Sequence, residues 1–287
     1  MKKTWILIVI ALILLTTVAC SFTVNLPTVE TGPDQTYTIH EPAPAEGTDP
    51  VNLSIEIGAA NLEISGGSAG LVDGTVVYNL GEWEPKITRT DNNLKISQGK
   101  ASNTGSIPLN NIKNEWDLKL TGQTPLNLTI DAGAYTGRMD LSGIPLRSLV
   151  IHDGASDNTV LFDTINPIPM ESLEYSTGAS TVRLAGLANA NAKTLNFSGG
   201  AGTYTLDFAG TLQQDMRATV DAGVSTIRII LPADMNVAVE VVGDMKSVST
   251  QGTWTVSDNL YTADGQGPLL TLEVNTSLGT LILEREK

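Results

Sequence analysis

Apolar and polar residues alternate along most of the chain beyond residue 50, in short stretches separated by glycine or by polar turn residues. Alternation with a period of two predicts β-strands that bury one face, and sustained helical spacing is scarce after the first residues. Glycine occurs 27 times and aromatic residues make up only 5% of the chain, which suits short strands joined by tight turns. The sequence therefore predicts an all-β protein.

The alternation recurs in one register around a central glycine. Apolar residues stand five and three positions before this glycine and usually four and six positions after it. Between Gly133 and Gly223 the steps are 21, 24, 22 and 23 residues, and Gly137 and Asn158 interrupt the apolar position four residues after the centre. The centres of the seven units are Gly58, Gly133, Gly154, Gly178, Gly200, Gly223 and Ser277.

A period of this length, with two short strands in each period, is typical of a β-solenoid, whose coils bury their apolar faces by stacking on one another. The alternative is a β-sandwich with glycines spaced by chance, and the shared register favours the solenoid. We expect the chain to bend or take positive φ at each central glycine, and the alanine that often follows to fit a tight corner. Asp131, Asp153 and Asp221 precede these glycines by one or two positions, where a carboxylate can bond the turn backbone.

The rest of the chain divides around this repeat. Residues 20–50 are rich in proline and acidic residues and predict a flexible tether, in which residues 37–39 can form one short strand. The solenoid then occupies residues 51–287. Within it, residues 65–127 depart from the repeat and predict irregular hairpins, and residues 235–287 predict C-terminal strands and a cap. A cap is expected because an open solenoid edge invites aggregation.

Several segments resemble a known family. The stretches TGPDQTYTI, NEWDLKL, IDAGAYTGRMDLSG and VDAGVSTIRIILP are similar to the bacterial toast-rack domains. These belong to a wider adhesin-like group that includes the C-terminal domain of membrane proteins linked to cell-wall-active antibiotic responses. The resemblance covers roughly residues 30–245. It implies a single-stranded, right-handed β-helix-like fold outside the cytoplasmic membrane, and it brings no established activity and no functional residues.

The first twenty residues have the pattern of a secretory leader. Lys2 and Lys3 precede a short apolar run, and Ala19 stands directly before Cys20, the one cysteine of the chain. The segment resembles the lipobox of bacterial lipoproteins, although Thr17 departs from it, and so predicts a signal peptide over residues 1–19 and acylation of Cys20. Two alternatives are a secreted protein with an incidental cysteine and an uncleaved anchor. The apolar run is shorter than the roughly 20 residues that a spanning helix needs.

Charge limits the partners. The formal net charge is −14, and removal of residues 1–19 would take away two lysines and no acid, leaving −16. Such a chain repels phosphate backbones, so we expect no nucleic-acid partner. Membrane contact would run through the lipid on Cys20 rather than through a basic patch. With that cysteine acylated, the protein would hold no disulfide.

Candidates for nucleophilic and metal chemistry are few. His40 falls in the predicted tether, and His152 is expected to face solvent from a strand. His152, Asp153 and Ser156 are too close in sequence for the usual triad. Zinc has no free cysteine, and calcium at the turn aspartates is a weaker interpretation than structural turns. We therefore predict no catalytic residue, no metal ligand and no cofactor.

Two surface chemistries stay open as alternatives. Trp83, Trp116 and Trp254 lie outside the regular repeat, where they either pack the caps or form a sugar platform. Paired aspartates could also act on polysaccharide, as in glycosidases. The aspartates on or near the repeat strands are Asp131, Asp140, Asp153, Asp157, Asp163, Asp207 and Asp221.

Taken together, the sequence predicts a non-catalytic envelope lipoprotein. It would present a rigid, acidic solenoid for adhesion or for binding an unknown envelope protein or polysaccharide. One alternative is a partner subunit in envelope-stress signalling, which the family resemblance suggests. The second alternative is a polysaccharide-active enzyme.

Overall fold

The computed structural model describes residues 31–44, 50–99, 111–243 and 247–286. Two short 3-10 helices, Gly81–Trp83 and Leu187–Ala190, accompany the strands. The strands of the described residues are β1 (Gln35–Glu41), β2 (Val51–Ser68), β3 (Val72–Tyr78), β4 (Lys86–Thr90), β5 (Asn93–Ser97), β6 (Asn114–Thr121), β7 (Leu126–Asp140), β8 (Leu146–Leu161), β9 (Met170–Ala185), β10 (Ala192–Asp207), β11 (Met216–Pro232), β12 (Met235–Val242), β13 (Ser247–Gln251), β14 (Thr255–Ser257), β15 (Leu260–Ala263) and β16 (Gln266–Glu286).

The seven predicted units are neighbours in space. Strands β2, β7, β8, β9, β10, β11 and β16 lie side by side in that order, and all six pairs are parallel. The register matches the repeat, since Leu173 pairs with Leu195 and Tyr175 with Phe197. The protein is therefore an all-β solenoid, as predicted.

Each unit is one long strand rather than two short ones. Strand β8, for example, runs through Gly154 without a break. Backbone pairing with the adjacent coils continues on both sides of the glycine, which keeps the two halves in one element. We call the halves before the central glycine the first wall and the halves after it the second wall.

The central glycines form a column in which successive coils touch. A Cβ atom added at Gly133, Gly154, Gly178, Gly200 or Gly223 would lie within 3.0 Å of the carbonyl oxygen of the preceding glycine in the column. None of these glycines has a positive φ, which the sequence analysis gave as one possible reason for glycine at these positions. Glycine is thus required by the close approach of neighbouring backbones, not by a left-handed conformation.

The residues after the glycines lie outside the core. Ala134, Ala155, Ala179 and Ala201 are exposed, and Val224 in the same row is 57% exposed. The row faces solvent, so the expected tight corner does not restrict its side chains. The small alanine side chains are not needed for packing between coils.

Both ends are capped by strands outside the seven units, and all of these strands except β1 lie between two units in sequence. At the N-terminal end, β6, β3 and β1 extend the second wall beyond β2, and the hairpin β4–β5 extends the first wall. At the other end β16 pairs directly with β11, and strands β12, β13, β14 and β15 lie beyond it. The stretch that interrupts the repeat therefore does not separate the last two coils.

The folded part begins earlier than the predicted boundary at residue 51. The short strand foreseen at residues 37–39 is β1, which pairs with β3 and buries Ile39. The predicted tether over residues 20–50 thus overlaps the sheet. Residues 1–19 and Cys20 lie outside the described residues, and the lipid anchor stays a prediction. Among the residues described, no helix has the length and apolar character needed to cross a bilayer.

Candidate functional site

The second wall presents two regular rows of polar side chains to solvent. One row is mostly threonine, and the next alternates arginine with threonine, because the parallel register stacks equivalent positions. Together they form the threonine–arginine face: Thr136, Thr181, Thr203, Thr226 and Thr280 in the first row, and Arg138, Thr159, Arg183, Thr205 and Arg228 in the second.

Two of the three arginines are held by acids on the next coil. Arg183 Nη2 lies 2.7 Å from Asp207 Oδ2, and Arg228 Nη2 lies 2.7 Å from Glu284 Oε1. Asp207 and Glu284 each lie two residues beyond the register partner of their arginine. For Arg138 that position on the next coil is Leu161, which cannot form an ion pair. Arg138 is exposed and has no ion pair within the described part of the chain, although the register places Glu63 beside it on β2.

The first wall has the opposite character. Its exposed or half-buried outer positions hold an acidic face: Glu56, Asp131, Glu174, Asp221 and Glu273. Two cations of this wall sit beside these acids, since Lys95 Nζ lies 2.5 Å from Glu56 Oε1 and His152 Nδ1 lies 3.0 Å from Asp131 Oδ1. The His152 side chain is 48% exposed, which confirms the expected solvent-facing position.

The turn aspartates bond neighbouring coils instead of their own turn backbone. Asp131 contacts His152 one coil away, and Asp221 Oδ1 accepts a hydrogen bond from Asn275 Nδ2 at 3.1 Å. Asp153 accepts hydrogen bonds from the hydroxyls of Ser156 and Thr177, among others. The expectation of a turn-capping role is therefore wrong for all three, because the stacked coils offer side-chain donors across the parallel register.

Asp153 is the centre of a polar cluster inside the corner. Tyr175 OH donates to Asp153 Oδ2 at 2.7 Å, and Ser156 Oγ donates to the same oxygen at 3.0 Å. Thr177 Oγ1 donates to Asp153 Oδ1 and lies 2.5 Å from Ser180 Oγ. Four hydroxyl groups, three on the next coil and one on its own, thus surround one carboxylate, which cross-links the coils of β8 and β9.

The same cluster explains both interruptions of the apolar repeat. Tyr135 turns inward, and a Cβ at Gly137 would lie within 3.0 Å of its ring. Asn158 Nδ2 donates to Tyr175 OH at 2.9 Å, so this position serves the polar cluster instead of the apolar core. The sequence did contain one sign of this cluster, the aromatic Tyr135 two residues after a central glycine. The apolar repeat does not include that position, so the periodicity alone does not predict that Tyr135 faces inward.

The cluster lacks the groups that nucleophilic catalysis needs. Burial raises the pKa of both Tyr135 and Tyr175 well above the ordinary value, so the phenols stay protonated and act as donors. His152 lies on the outer face of the wall, turned toward Asp131, while Ser156 points to Asp153. The chain therefore does not bring His152, Asp153 and Ser156 together as a triad.

A second carboxylate with several donors lies on the N-terminal cap. His40 Nδ1 lies 2.6 Å from Asp73 Oδ1, and Ser68 Oγ donates to Asp73 Oδ2 at 2.7 Å. The hydrogen bond from His40, followed by that from Ser68, lowers the pKa of Asp73 to about 2. The carboxylate stands between the histidine and the serine, so this arrangement ties β1 to β3 and does not activate Ser68.

The three tryptophans outside the repeat differ in burial, which decides whether each packs a cap or can contact a sugar. Trp83 and Trp116 are buried in the N-terminal cap, and Trp116 Nε1 donates to Asn114 Oδ1. Trp254 is half-buried at the other end, where Arg285 lies 5.7 Å from its ring centroid and Tyr261 meets it edge-on. Packing accounts for the first two, and Trp254 alone among these three is accessible to a ligand.

The acidic side chains and histidines are dispersed or already paired. Within the ranges that the structure describes, no three His, Cys, Asp or Glu side chains are grouped so that they could hold a metal ion. The aspartates that pair with other side chains, such as Asp153, Asp73 and Asp207, have their oxygens turned to hydroxyl or nitrogen donors.

Comparison with known proteins identifies one family. The model of the N-terminal domain of toast_rack (DUF2154) matches residues 30–164 and again residues 164–230. Among curated proteins, none matches the chain significantly.

Among the solved structures to which the chain is similar are three proteins from different bacteria. A proposed cell adhesion protein from Clostridium sporogenes is 20% identical, with a TM-score of 0.47 over 88% of this chain and 99% of that one. A proposed adhesin from Bacteroides fragilis is 11% identical, with a TM-score of 0.35 over 90% and 99% of the two chains. A proposed lipid-binding protein from Parabacteroides distasonis is 12% identical, with a TM-score of 0.39 over 88% and 99%.

Proposed function

The chain belongs to the toast-rack family, and from that premise we propose that it is a non-catalytic binding protein of the cell envelope. Its ligand is an extended envelope polymer, a polysaccharide in the first place, which lies across the coils. Acylated Cys20 holds the protein at a membrane. The N-terminal cap then lies nearer the lipid than the C-terminal end, because β1 is the first strand after the leader.

The observation that carries this proposal is the in-register stacking of similar polar groups. Neighbouring strands lie about 4.8 Å apart, and threonine recurs along the first row in five of the seven coils, with Asp157 between Thr136 and Thr181. A repetitive ligand can make the same weak contact at successive coils, and linked contacts raise the overall affinity without any deep pocket. The backbone ladders fix the spacing, so little conformational entropy is lost on binding.

The threonine–arginine face is the better surface for such a ligand. Threonine hydroxyls and arginine guanidinium groups donate hydrogen bonds, and sugars offer hydroxyl and carboxylate oxygens as acceptors. Arg138 supplies an exposed donor at the N-terminal end of this face. The acidic face would repel the anionic groups common on polysaccharides, and Lys95 and His152 on that wall are already beside acids.

The test measures retention of purified envelope polysaccharide by the immobilised full chain. The Arg138→Ser variant removes a guanidinium from the threonine–arginine face without breaking an ion pair. Its control, Arg217→Ser, makes the same change at an exposed position of the first wall. We expect Arg138→Ser to weaken retention several-fold and Arg217→Ser to leave it unchanged.

Two results would contradict the proposal. Equal loss in both variants would show that binding follows net charge and not the threonine–arginine face. No retention of polysaccharide, with one membrane protein held at a fixed stoichiometry instead, would make the chain a subunit of a signalling or assembly complex.

A further inference from the structure

The two ends of the solenoid close to different degrees. In the N-terminal cap Trp83 and Trp116 are 3% and 1% exposed, so the core is sealed there. At the C-terminal end Trp254 and Tyr261 are only half-buried, and Val256 is 54% exposed. The apolar core thus reaches the surface at one end.

The strand edges at the two ends differ in charge as well. The outermost N-terminal strands carry charged or titratable groups, with His40 and Glu41 on β1 and Lys86 and Arg89 on β4. The outermost C-terminal strands, β13 and β14, contain no charged residue and no proline. Natural edge strands are usually protected by charges, prolines or bulges, so the unprotected edges are suited to pairing.

The C-terminal end also has the shape of a step. Strand β12 pairs with the first-wall half of β16, and β13 pairs with its second-wall half, so these two strands form one rung. Beyond that rung β15 and β14 extend the first wall alone. The first wall therefore projects two strands, about 10 Å, beyond the second wall.

We propose that this end is an interface with a second copy of the chain, related by a twofold axis along the bisector of the two walls. Such an axis sets the first wall of one copy above the second wall of the other. The projecting hairpin β14–β15 of each copy then fills the two-strand recess above β13 of its partner. The step is self-complementary, as a twofold interface requires.

Strand directions agree with this arrangement. Strand β12 runs parallel to β16 and hence toward the central column, β15 runs away from it, and β14 again runs toward it. Strand β13 runs parallel to the second-wall half of β16 and so away from the column. The twofold axis preserves direction relative to the column, and β13 therefore meets β14 of the second copy antiparallel, at both contacts.

The side chains exposed at the step face inward. Val256 pairs with Tyr261, and Tyr261 pairs with Val239, which is fully buried in the core. Residues opposite one another on paired strands share a face of the sheet, so Val256 and Tyr261 continue the inner face. In the twofold arrangement these apolar groups meet their equivalents and the two cores become continuous.

The interface is separate from the threonine–arginine face and does not depend on the proposed ligand. Sedimentation equilibrium of the full chain in a density-matched non-ionic detergent tests it over a range of protein concentrations. We expect a dimer that dissociates on dilution. Val256→Lys places a charge where the second copy would bury it, and it should raise the dissociation constant at least tenfold.

A matched control comes from the exposed row beside the glycine column. Val224 is 57% exposed, nearly the same as Val256, but lies away from the step, so Val224→Lys should dimerise like the wild type. Thr250→Lys, on the inward face of β13, should act like Val256→Lys because both edges take part. Circular dichroism confirms that each variant keeps its β-structure.

Three outcomes would overturn the proposal. The first is a wild-type chain that stays monomeric at every concentration. The second is a Val256→Lys variant that dimerises as well as Val224→Lys. The third is open-ended growth beyond the dimer, which would indicate a head-to-tail contact instead of a twofold one.

Discussion

The corner of the solenoid, where the two walls meet beside the glycine column, is filled in two different ways although the backbone register is the same. In the coils of β7, β8 and β9 it holds the polar cluster around Asp153, with Tyr135 and Tyr175 as neighbours. In the coils of β10 and β11 the positions equivalent to Asp153 are Gly199 and Ala222. The aromatic ring of Tyr204 takes the space there, since a Cβ at Gly199 would lie within 3.0 Å of it.

This difference separates what the fold requires from what it tolerates. The glycine column is common to both regions, whereas the filling beside it is either a hydrogen-bonded carboxylate or an aromatic ring over glycine. Within the described part of the chain Tyr204 OH is buried without a hydrogen-bond partner, while Tyr175 OH is bonded to Asp153 and Asn158. The polar filling leaves only Asn158 Oδ1 unbonded there. The two phenol hydroxyls, one bonded and one not, should therefore respond differently to removal.

The largest effect should come from the feature that both regions share. Gly178→Val adds a Cβ against the backbone of Gly154, which cannot move without shifting the coil, and we expect a loss of about 3 kcal/mol in the free energy of unfolding. Urea denaturation measures it. Ala179→Val is the control, because that row faces solvent, and its stability should be within about 0.5 kcal/mol of wild type. Equal stability of the two variants would show that the column is not tightly packed.

Removal of the carboxylate should disrupt only the polar filling. Asp153→Ala leaves the hydroxyls of Tyr175 and Thr177 without their acceptor, and we expect a loss of about 2 kcal/mol. The control is Asp157→Ala, at an exposed residue four positions further along the same strand. Its stability should differ little from that of the wild type. Thermal unfolding of both variants makes the comparison. A small loss at Asp153 would mean that solvent replaces the carboxylate.

Replacement of tyrosine by phenylalanine should destabilise the fold in one region and not in the other. Tyr175→Phe removes a bonded hydroxyl and should destabilise the fold by about 1 kcal/mol. Tyr204→Phe removes a buried hydroxyl that has no partner, so it should be neutral or slightly stabilising. Paired urea titrations measure the two changes. Destabilisation by Tyr204→Phe would indicate a hydrogen bond from this phenol to a bound water.

The smallest effect is expected at the exposed carboxylate of the cap. The pKa of Asp73 is lowered from 3.8 to about 2, so its contacts stabilise the folded state above the unfolded pKa. That contribution should be lost as the pH falls from about 4 to about 2. The melting temperature of Asp73→Asn should therefore depend less on pH in this window than that of the wild type. Parallel curves for the two proteins would contradict the lowered pKa.

The repeat made the coils predictable, because a shared period of apolar positions fixes both the strands and their register. The order of strands at the ends was not predictable, since the pairing of β16 with β11 skips the 54 residues between Gly223 and Ser277. The role of Asp153 was also missed. Its partners Tyr175 and Thr177 lie on the next coil, and only the stacking brings them within hydrogen-bond distance.

The place of β16 has a consequence for the order in which the solenoid can form during synthesis. This strand lies between β11 and the rung of β12 and β13, yet the ribosome makes it after both. Until β16 is available, the growing chain exposes the apolar positions of β11 along an unpaired parallel edge, a state prone to association. Completion of the solenoid is thus a late, long-range event. A chaperone or export factor that shields this edge would act on the chain before residue 266 has emerged.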